Sequence, residues 1–222
     1  MDYQAPNTLD AAIGLLASAQ AETRLLAGGT DLLVQLRSEL IEPELVIDLK
    51  RIPEMSEIAA EDDGFRIGAA VTAAEITEHE ALTAQWPGVV EAAGLIGSTQ
   101  IQGRATMGGN LCNASPAADT TPALIAAGAT ATVAGPDGER RVAIEDVVTG
   151  PGSTSLAKGE ILVSFHLPER PPRSGDAYLR FIPRTEMDID VVGAGVCLGL
   201  AAGGVCQAAR VALGAVAERP LL

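Results

Sequence analysis

Two Gly-Gly pairs, each beside small and hydroxyl residues, constrain this chain more than any other feature. Gly28 and Gly29 lie in LLAGGTDL, between a short strand-like run and a helical pattern. Gly108 and Gly109 lie in RATMGGNLCN, after a β-compatible run. A glycine pair permits positive φ and lets a ligand approach the main chain without meeting a Cβ. Such a turn before a helix also points successive N–H groups outward, which suits an anion.

Either pair alone is better explained as an ordinary turn, because Gly-Gly is common at turns. Taken together, the two pairs indicate a long ligand held by main-chain amides, such as a dinucleotide with its pyrophosphate between them. Neither motif has the Lys-Ser/Thr of a P-loop. VVGAGVCLG at 191–199 resembles a variant Rossmann fingerprint, which needs a following helix, a second parallel strand and an acidic residue about 20 positions on. Here the following AAGGVCQAARVALGAV is instead predicted to form a turn and a strand. A Gly-rich antiparallel hairpin is the preferred prediction there.

The predicted elements alternate between helix and strand, which indicates a mixed α/β chain. Periodicity and capping signals predict helices over 9–19, 31–40, 73–79 and 87–96, with a further helix starting at Thr121-Pro122. Asp-Gly turns predict two hairpins, one from about 56 and one over ATATVAGPDGERRVAI. The Pro/Arg-rich segment at 169–175 is the best candidate for a domain boundary.

Composition excludes several classes of function. The 222 residues carry a net charge of −14 without a Lys/Arg cluster, so a nucleic acid would be repelled. Cys112, Cys197 and Cys206 form no CxxC motif, which predicts buried free thiols in a reducing compartment, the cytoplasm. The amino terminus lacks a signal-peptide pattern, and the uncharged stretch 191–209 alternates like a strand, so no membrane span is expected. The two histidines, His79 and His166, are expected to be structural, with no metal site.

Four separated motifs carry a family resemblance. LLAGGTDLL, ATMGGNLCNASPAADTTPAL, EILVSFHLP and RTEMDIDVVGAGVCL together resemble the FAD-binding medium subunit of molybdenum hydroxylases, the family of xanthine dehydrogenase and aerobic carbon monoxide dehydrogenase. The resemblance implies an α+β, FAD-binding fold of the PCMH/VAO type. It places the FAD-binding domain at 1–176, with subdomains at about 1–55 and 56–176. A partial, truncated C-terminal domain would occupy 177–222, because relatives continue for several dozen residues.

The resemblance also implies the cofactor-binding residues. The second loop departs from the family at Gln102-Gly103, where relatives more often have Arg-Asn. Cys112 is expected to be a packing residue, because these relatives bind FAD without a covalent bond. The implied FAD contacts are the first loop, Leu25, Leu26, Ala27, Gly28, Gly29, Thr30, Asp31 and Leu32; the second loop, Thr106, Gly108, Gly109 and Asn110; and Asp119, Ile96, Arg180 and, near the adenine end, Leu162.

The function implied by the resemblance is electron transfer without a catalytic acid, base or nucleophile in this chain. Electrons would pass from a large subunit with a molybdenum cofactor, through a small iron–sulfur subunit, to FAD here, in a heterotrimer or its dimer. Three scattered cysteines cannot hold a cluster of their own. One alternative is a self-sufficient FAD oxidoreductase of the VAO/PCMH or UDP-N-acetylenolpyruvoylglucosamine reductase type, for which 177–222 is short. Another is a flavin-free scaffold. The substrate and the acceptor (quinone, NAD or oxygen) stay open.

Overall fold

The computed structural model describes residues 1–185 and 187–222; Glu186, within the RTEMDID part of the fourth motif, lies outside the described residues. The amino-terminal unit is a three-stranded parallel sheet with strand order β1-β3-β2. Its elements are β1 (Asp2–Gln4), α1 (Leu9–Ser18), β2 (Thr23–Leu26), α2 (Leu32–Arg37) and β3 (Leu45–Asp48).

Helix α1 confirms the amphipathic prediction, and its cap Thr8 accepts a hydrogen bond from the Ala11 amide at 3.3 Å. Helix α2 is shorter than predicted. Glu39 takes φ +57° just beyond the helix, and the Leu40 amide donates back to the Gln35 carbonyl at 3.0 Å. A residue in the left-handed conformation, followed by a hydrogen bond back to a carbonyl of the last turn, terminates a helix. The leucine periodicity, which continues to position 40, does not reveal this end.

The second unit is built on a five-stranded antiparallel sheet with strand order β4-β5-β10-β6-β7. Both predicted hairpins are confirmed, and the central strand β10 is the almost wholly buried ILVSFHLP run. The strands are β4 (Ile58–Glu61), β5 (Gly64–Gly68), β6 (Thr130–Gly135), β7 (Gly138–Ala143), the short pair β8 (Val148–Gly150) and β9 (Ser153–Thr154), and β10 (Ile161–Pro168).

Six short helices accompany this sheet, and 3₁₀ turns occupy Pro53–Met55 and Ile144–Asp146. The capping box predicted at Thr72 is present, since the Thr72 amide donates to Glu75 at 2.9 Å. Helix α4 was not predicted; His79 begins it by accepting a hydrogen bond from the Leu82 amide on Nδ1 at 3.1 Å. The helices are α3 (Ala73–Glu78), α4 (Glu80–Gln85), α5 (Pro87–Gly94), α6 (Thr99–Gln102), α7 (Met107–Asn113) and α8 (Thr120–Ala126).

The third unit is an antiparallel sheet of β11 (Ser174–Phe181), β12 (Val192–Leu200) and β13 (Cys206–Gly214), with β12 in the centre. The hairpin preferred over a Rossmann site at 191–199 is therefore confirmed. Its glycines allow α8 to lie against the sheet: a Cβ on Gly195 would lie 2.6 Å from the Pro122 carbonyl carbon and 2.8 Å from the Ala123 nitrogen. Helix α8 is buried along its whole length as a result.

The prediction of buried thiols is wrong. Cys112 and Cys206 are exposed and Cys197 is half-buried, because small neighbouring residues in sequence do not guarantee that a position faces the core. Among the residues that the structure covers, no helix combines the length and the hydropathy needed to cross a membrane.

Candidate functional site

A cleft of about 440 Å³ lies between the amino-terminal unit and the second sheet. Both glycine motifs line it, together with a third segment at 154–162 that precedes and enters β10. Its charged lining residues are few: Arg24, which pairs with Glu22 at 2.7 Å, Asp31, Lys158 and Glu160. The rest of the wall is apolar side chains and main chain, as in many pockets for organic cofactors.

The first glycine motif forms a loop whose main-chain N–H groups have no acceptor within the described part of the protein. Gly29 takes φ +82°, a conformation that glycine adopts without strain. Within the described chain, the main-chain amides of residues 28–32 donate to no protein acceptor, and the Thr30 hydroxyl has no protein partner. Buried or half-buried amides are normally paired, so a row of unpaired ones at a cleft marks a place for an acceptor group of a ligand.

The second glycine pair is helical, which corrects its interpretation as a loop. Gly108 and Gly109 lie in the first turn of α7, and neither has positive φ. Thr106 is the N-cap, and its Oγ1 accepts from the Gly109 amide at 2.9 Å. The cap therefore leaves the Met107 and Gly108 amides without a protein acceptor among the described residues. The sequence pattern hid this helix because Met-Gly-Gly-Asn has low helix propensity.

The two motifs contact each other directly, and one glycine of each pair is required for packing. A Cβ on Gly28 would lie 2.9 Å from the Arg104 carbonyl carbon and 3.0 Å from the Ala105 Cα, and closer still to the Arg104 oxygen. A Cβ on Gly108 would lie 2.8 Å from the Ala69 Cβ at the end of β5. By contrast, a Cβ on Gly109 would meet only the Thr106 Oγ1, at 3.1 Å. The second motif is thus held between the first loop and β5.

Asn110 connects the cleft to helix α8. Its Oδ1 accepts from the Thr120 hydroxyl at 2.7 Å and from the Thr120 amide at 3.2 Å, so it caps α8 from the neighbouring helix. The side-chain oxygen of Asn110 is therefore committed to the fold. Its amide nitrogen has no partner within the described residues and remains a donor for the cleft.

The third wall was missed by the sequence interpretation apart from Leu162. The Glu160 carboxylate organises it, accepting from the Ala157 amide at 2.6 Å and from Arg140 at 2.8 and 2.7 Å. The hydrogen bonds from Arg140 lower the pKa of Glu160 to about 2. Gly159 at φ +89° turns the chain into β10. A Gly-Glu pair before an apolar strand is the only signal that could have indicated this wall.

Strand β10 has only one strand partner where it enters the cleft wall. Its pairing with β5 begins at Ser164, so Leu162 has a strand neighbour only on the β6 side, where it lies opposite Val133. The pairing with β6 is also irregular between residues 162 and 164. On the β5 side, the Ala69 amide donates to the Val163 carbonyl at 2.8 Å, so Leu162 lies just before the first contact on that side. Leu162 lines the cleft at this point.

Two predicted residues lie together outside the cleft lining. Arg180 on β11 donates to Asp119 at 2.6 Å and lies 3.6 Å from Asp190, whose other oxygen accepts from the Tyr178 hydroxyl at 2.9 Å. Two carboxylates share one guanidinium in a buried setting. Burial, then the nearby Asp190 charge, raises the pKa of Asp119 to about 6 despite its bond to Arg180.

The cleft gathers most of the predicted site residues. Leu26 is a strand residue that does not line the cleft, like Asp119 and Arg180. Gln102, the departure from the family pattern, donates to the Gly94 carbonyl at 2.6 Å and fixes α6 to the end of α5. The predicted residues that do line the cleft are Leu25, Ala27, Gly28, Gly29, Thr30, Asp31, Leu32, Ile96, Thr106, Gly108, Gly109, Asn110 and Leu162.

The histidines lie away from the cleft. His166 on β10 is 3.0 Å from Asp63. A carboxylate oxygen of Glu61 lies within 4.8 Å of the His166 nitrogen and the Asp63 oxygen, so three potential metal-ligating atoms are close together. Glu61 is also 3.4 Å from the Arg66 guanidinium, which compensates its charge. His79 has the capping role described above. The expectation that both histidines are structural stays a prediction.

Comparisons with known proteins agree with this geometry. The family described as "FAD binding domain in molybdopterin dehydrogenase" matches residues 1–170. The xanthine dehydrogenase FAD-binding subunit of Escherichia coli O157:H7 is 36% identical over 221 residues, which cover 99% of this chain and 75% of that subunit. The carbon monoxide dehydrogenase medium chain of Afipia carboxidovorans is 33% identical over 220 residues, or 99% and 76%.

Solved structures give the same result. The chain superimposes on reconstituted CO dehydrogenase from Oligotropha carboxidovorans with a TM-score of 0.94 and 32% identity, covering 100% of this chain and 77% of that one. The mixed α/β fold and the FAD expected from the four motifs are thereby confirmed. The chain belongs to the family of FAD-binding domains of molybdopterin dehydrogenases, which are oxidoreductases.

Proposed function

We propose that this chain is the electron-transfer subunit of a molybdenum-containing hydroxylase or dehydrogenase. Electrons released at a molybdenum cofactor on a large subunit would pass through iron–sulfur clusters on a small subunit to FAD held by this chain. From there they would pass to an external acceptor. The assembly would be a heterotrimer or its dimer, in the cytoplasm, where free cysteines such as the three here persist.

One observation carries the FAD part of this proposal: two separate sets of unpaired amides open on one cleft. Residues 28–32, which line the cleft, provide one set, and the first turn of α7, where Gly108 lines the cleft, provides the other. Anionic oxygens are stabilised by such amides at helix starts, with charge-assisted hydrogen bonds of about 1.5–3 kcal/mol each. Gly109 has no Cβ, and the only group near its position is the Thr106 Oγ1, so a ligand can approach this main chain closely. The residues present therefore fit a pyrophosphate-bearing dinucleotide.

The remaining cleft residues fit the rest of an extended cofactor. Leu162, which lines the cleft and has no strand partner on the β5 side, would lie near the adenine, and Ile96 and Met55 give an apolar surface for a ring. Asn110 supplies a side-chain donor, while Asp119, the residue before α8, pairs with Arg180 outside the cleft lining. Residues 1–176 would form the FAD-binding domain and 177–222 a partial C-terminal domain. When bound, FAD supplies the redox chemistry, and the chain positions it and sets its environment.

The cysteines support a role in transfer rather than a self-contained redox chain. Among the described residues, no group of potential metal ligands contains Cys112, Cys197 or Cys206. An iron–sulfur cluster ordinarily needs four thiolates. A cluster that reduces the flavin would therefore have to be brought by another subunit.

The test is anaerobic reduction of the flavin with and without partner subunits. The chain would be co-expressed with candidate small and large subunits from the same genome, and flavin absorbance would be followed after addition of a substrate oxidised by the complex. We expect reduction only in the complete assembly. Flavin reduction by a simple alcohol or by NADPH in the isolated chain would instead establish a self-sufficient oxidoreductase and contradict the proposal.

A further inference from the structure

A hydrogen bond from the Lys50 side chain holds the start of the first glycine motif. The last bond between β2 and β3 runs from the Leu49 amide to the Leu26 carbonyl at 2.9 Å, and the chain then leaves the sheet at Ala27. The Ala27 carbonyl accepts from the Lys50 Nζ at 3.0 Å, its only hydrogen bond within the described residues. The first peptide of the loop is therefore held by a side chain rather than by the sheet.

The Lys50 ammonium is itself fixed by a buried carboxylate. Asp48, 6% exposed at the end of β3, accepts on Oδ1 from the Lys50 Nζ at 2.8 Å and from the Lys50 amide at 3.0 Å. Its Oδ2 accepts from the hydroxyl of Tyr3 on β1. Burial acts against the charge, but the hydrogen bonds from Lys50 and Tyr3 lower the pKa of Asp48 below its ordinary value. An ionised Asp48 therefore keeps the ammonium beside the Ala27 carbonyl at neutral pH.

The orientation of this peptide determines where the Gly28 amide points. The Ala27–Gly28 bond is trans, and the C=O and N–H of a planar trans peptide point in opposite directions. Ala27 and Gly28 line the cleft, whereas Lys50 does not. Because the carbonyl is turned towards Lys50, the Gly28 N–H is turned away from it. This N–H is one of the unpaired amides of the first motif.

We infer that Lys50 is a positioning residue for FAD, which orients the Gly28 N–H towards the cofactor through the Ala27 carbonyl. The inference rests on the proposed FAD site and adds to it a residue that lies in neither glycine motif. Lys50 also polarises the peptide, because a cation at the carbonyl oxygen makes the N–H of the same peptide a stronger donor to an anionic oxygen. Asp48 and Tyr3 act one step further away, by holding the ammonium in place.

The experiment measures the Gly28 amide and FAD binding separately. Amide nitrogen–proton correlation spectra of the flavin-free chain report on Gly28, and titration with FAD, followed by flavin fluorescence, gives the Kd. Lys50→Met removes the ammonium but keeps the main-chain bond from residue 50 to Asp48. Lys50→Arg retains a cationic donor. Arg51→Met is the matched control, because it removes a neighbouring charge whose exposed side chain has no polar partner within the described part of the chain.

We expect Lys50→Met to move the Gly28 resonance and to raise the Kd for FAD about 10-fold, the loss expected for one charge-assisted hydrogen bond. Lys50→Arg should retain most of the affinity, and Arg51→Met should change neither quantity. Tyr3→Phe is the second variant if Lys50→Met does not fold, because the Tyr3 side chain is 56% exposed and loses only its hydroxyl. It should move the Gly28 resonance in the same direction by a smaller amount.

An unchanged Gly28 resonance in the folded test variant would overturn the inference, and so would a shifted resonance with an unchanged Kd. An equal rise in Kd in Arg51→Met would also overturn it, because a general attraction between positive charge and FAD would then be responsible. A parent chain that binds no FAD would instead contradict the proposed function. The Gly28 resonance of the same variants would then still decide whether Lys50 orients this amide.

Discussion

Replacing Gly28 by alanine is expected to push apart the two glycine motifs. The added Cβ would lie 2.9 Å from the Arg104 carbonyl carbon and 3.0 Å from the Ala105 Cα. Carbon atoms in favourable contact are about 3.5–4.0 Å apart, so the main chains must separate by roughly 0.5–1 Å. Both neighbours are backbone, and neither can rotate away as a flexible side chain would.

The size of the effect follows from the packing. Overfilling a well-packed site typically costs about 1–3 kcal/mol, and a chain of this length loses roughly 2–4 °C in Tm per kcal/mol. The shift would also displace the amides of residues 28–32 relative to those of α7. We therefore expect Gly28→Ala to lower the free energy of unfolding and to lose FAD during purification.

The assay is urea unfolding followed by circular dichroism, with flavin absorbance per chain measured on the same preparation. Gly103→Ala is the matched control, because it lies next to Arg104 and its added Cβ would meet nothing within 4 Å. The control should unfold and retain FAD like the parent chain. If Gly28→Ala also keeps the stability and the flavin of the parent, the direct contact between the two motifs has no role in the site.

Three further changes test separate parts of the account. Gly109→Val should change the free energy of unfolding by no more than about 1 kcal/mol but abolish FAD retention. The control Gly14→Val, on the exposed side of α1, should keep FAD. Equal flavin content in both variants would contradict ligand approach at Gly109. Gly195→Val should lower the free energy of unfolding by about 1–3 kcal/mol, because the added Cβ meets the main chain of α8. In Gly199→Ala the added Cβ lies 3.7 Å from its nearest neighbour, so an equal loss of stability there would refute that reason. Asp119 has a folded-state pKa of about 6, above its ordinary 3.8, so it binds a proton preferentially in the folded state. Relative to Asp119→Asn, the parent chain should therefore gain about 1 kcal/mol of stability as pH falls from 7 to 5, measured by urea unfolding at each pH. If the free energy of unfolding of both proteins changes equally with pH, the carboxyl is not buried as described.

The sequence was sufficient for the features that depend on local chemistry. Thr8 and Thr72 were identifiable as helix caps from residue type and spacing, and both bonds are present. The Pro-Asp-Gly turn of the β6–β7 hairpin follows from the same kind of local rule. The pairing of the two glycine motifs in one site was indicated because similar donors recur in both.

Features that depend on distant contacts were not predictable from local chemistry. Gly108 packs against Ala69 at the end of β5, a contact that the local sequence does not show. The Thr106 cap of α7 is a local feature, but the low helix propensity of the two glycines hid it. Gly195 of β12 reflects the approach of α8, some 70 residues earlier in the chain, and Gly193 the packing of Tyr178, rather than a nucleotide fingerprint. The wall at 154–162 depends on the pair between Glu160 and Arg140, which join a loop to β7.

Identification of the cofactor is the most direct test of the central claim. The chain would be purified under mild conditions, denatured, and the released flavin separated by chromatography against FAD and FMN standards. Because unpaired amides of the first glycine motif and of the first turn of α7 lie at one cleft, we expect FAD at close to one molecule per folded chain. FMN, which lacks the pyrophosphate that these amides are proposed to bind, would contradict the account, as would a folded chain that binds no flavin when FAD is supplied.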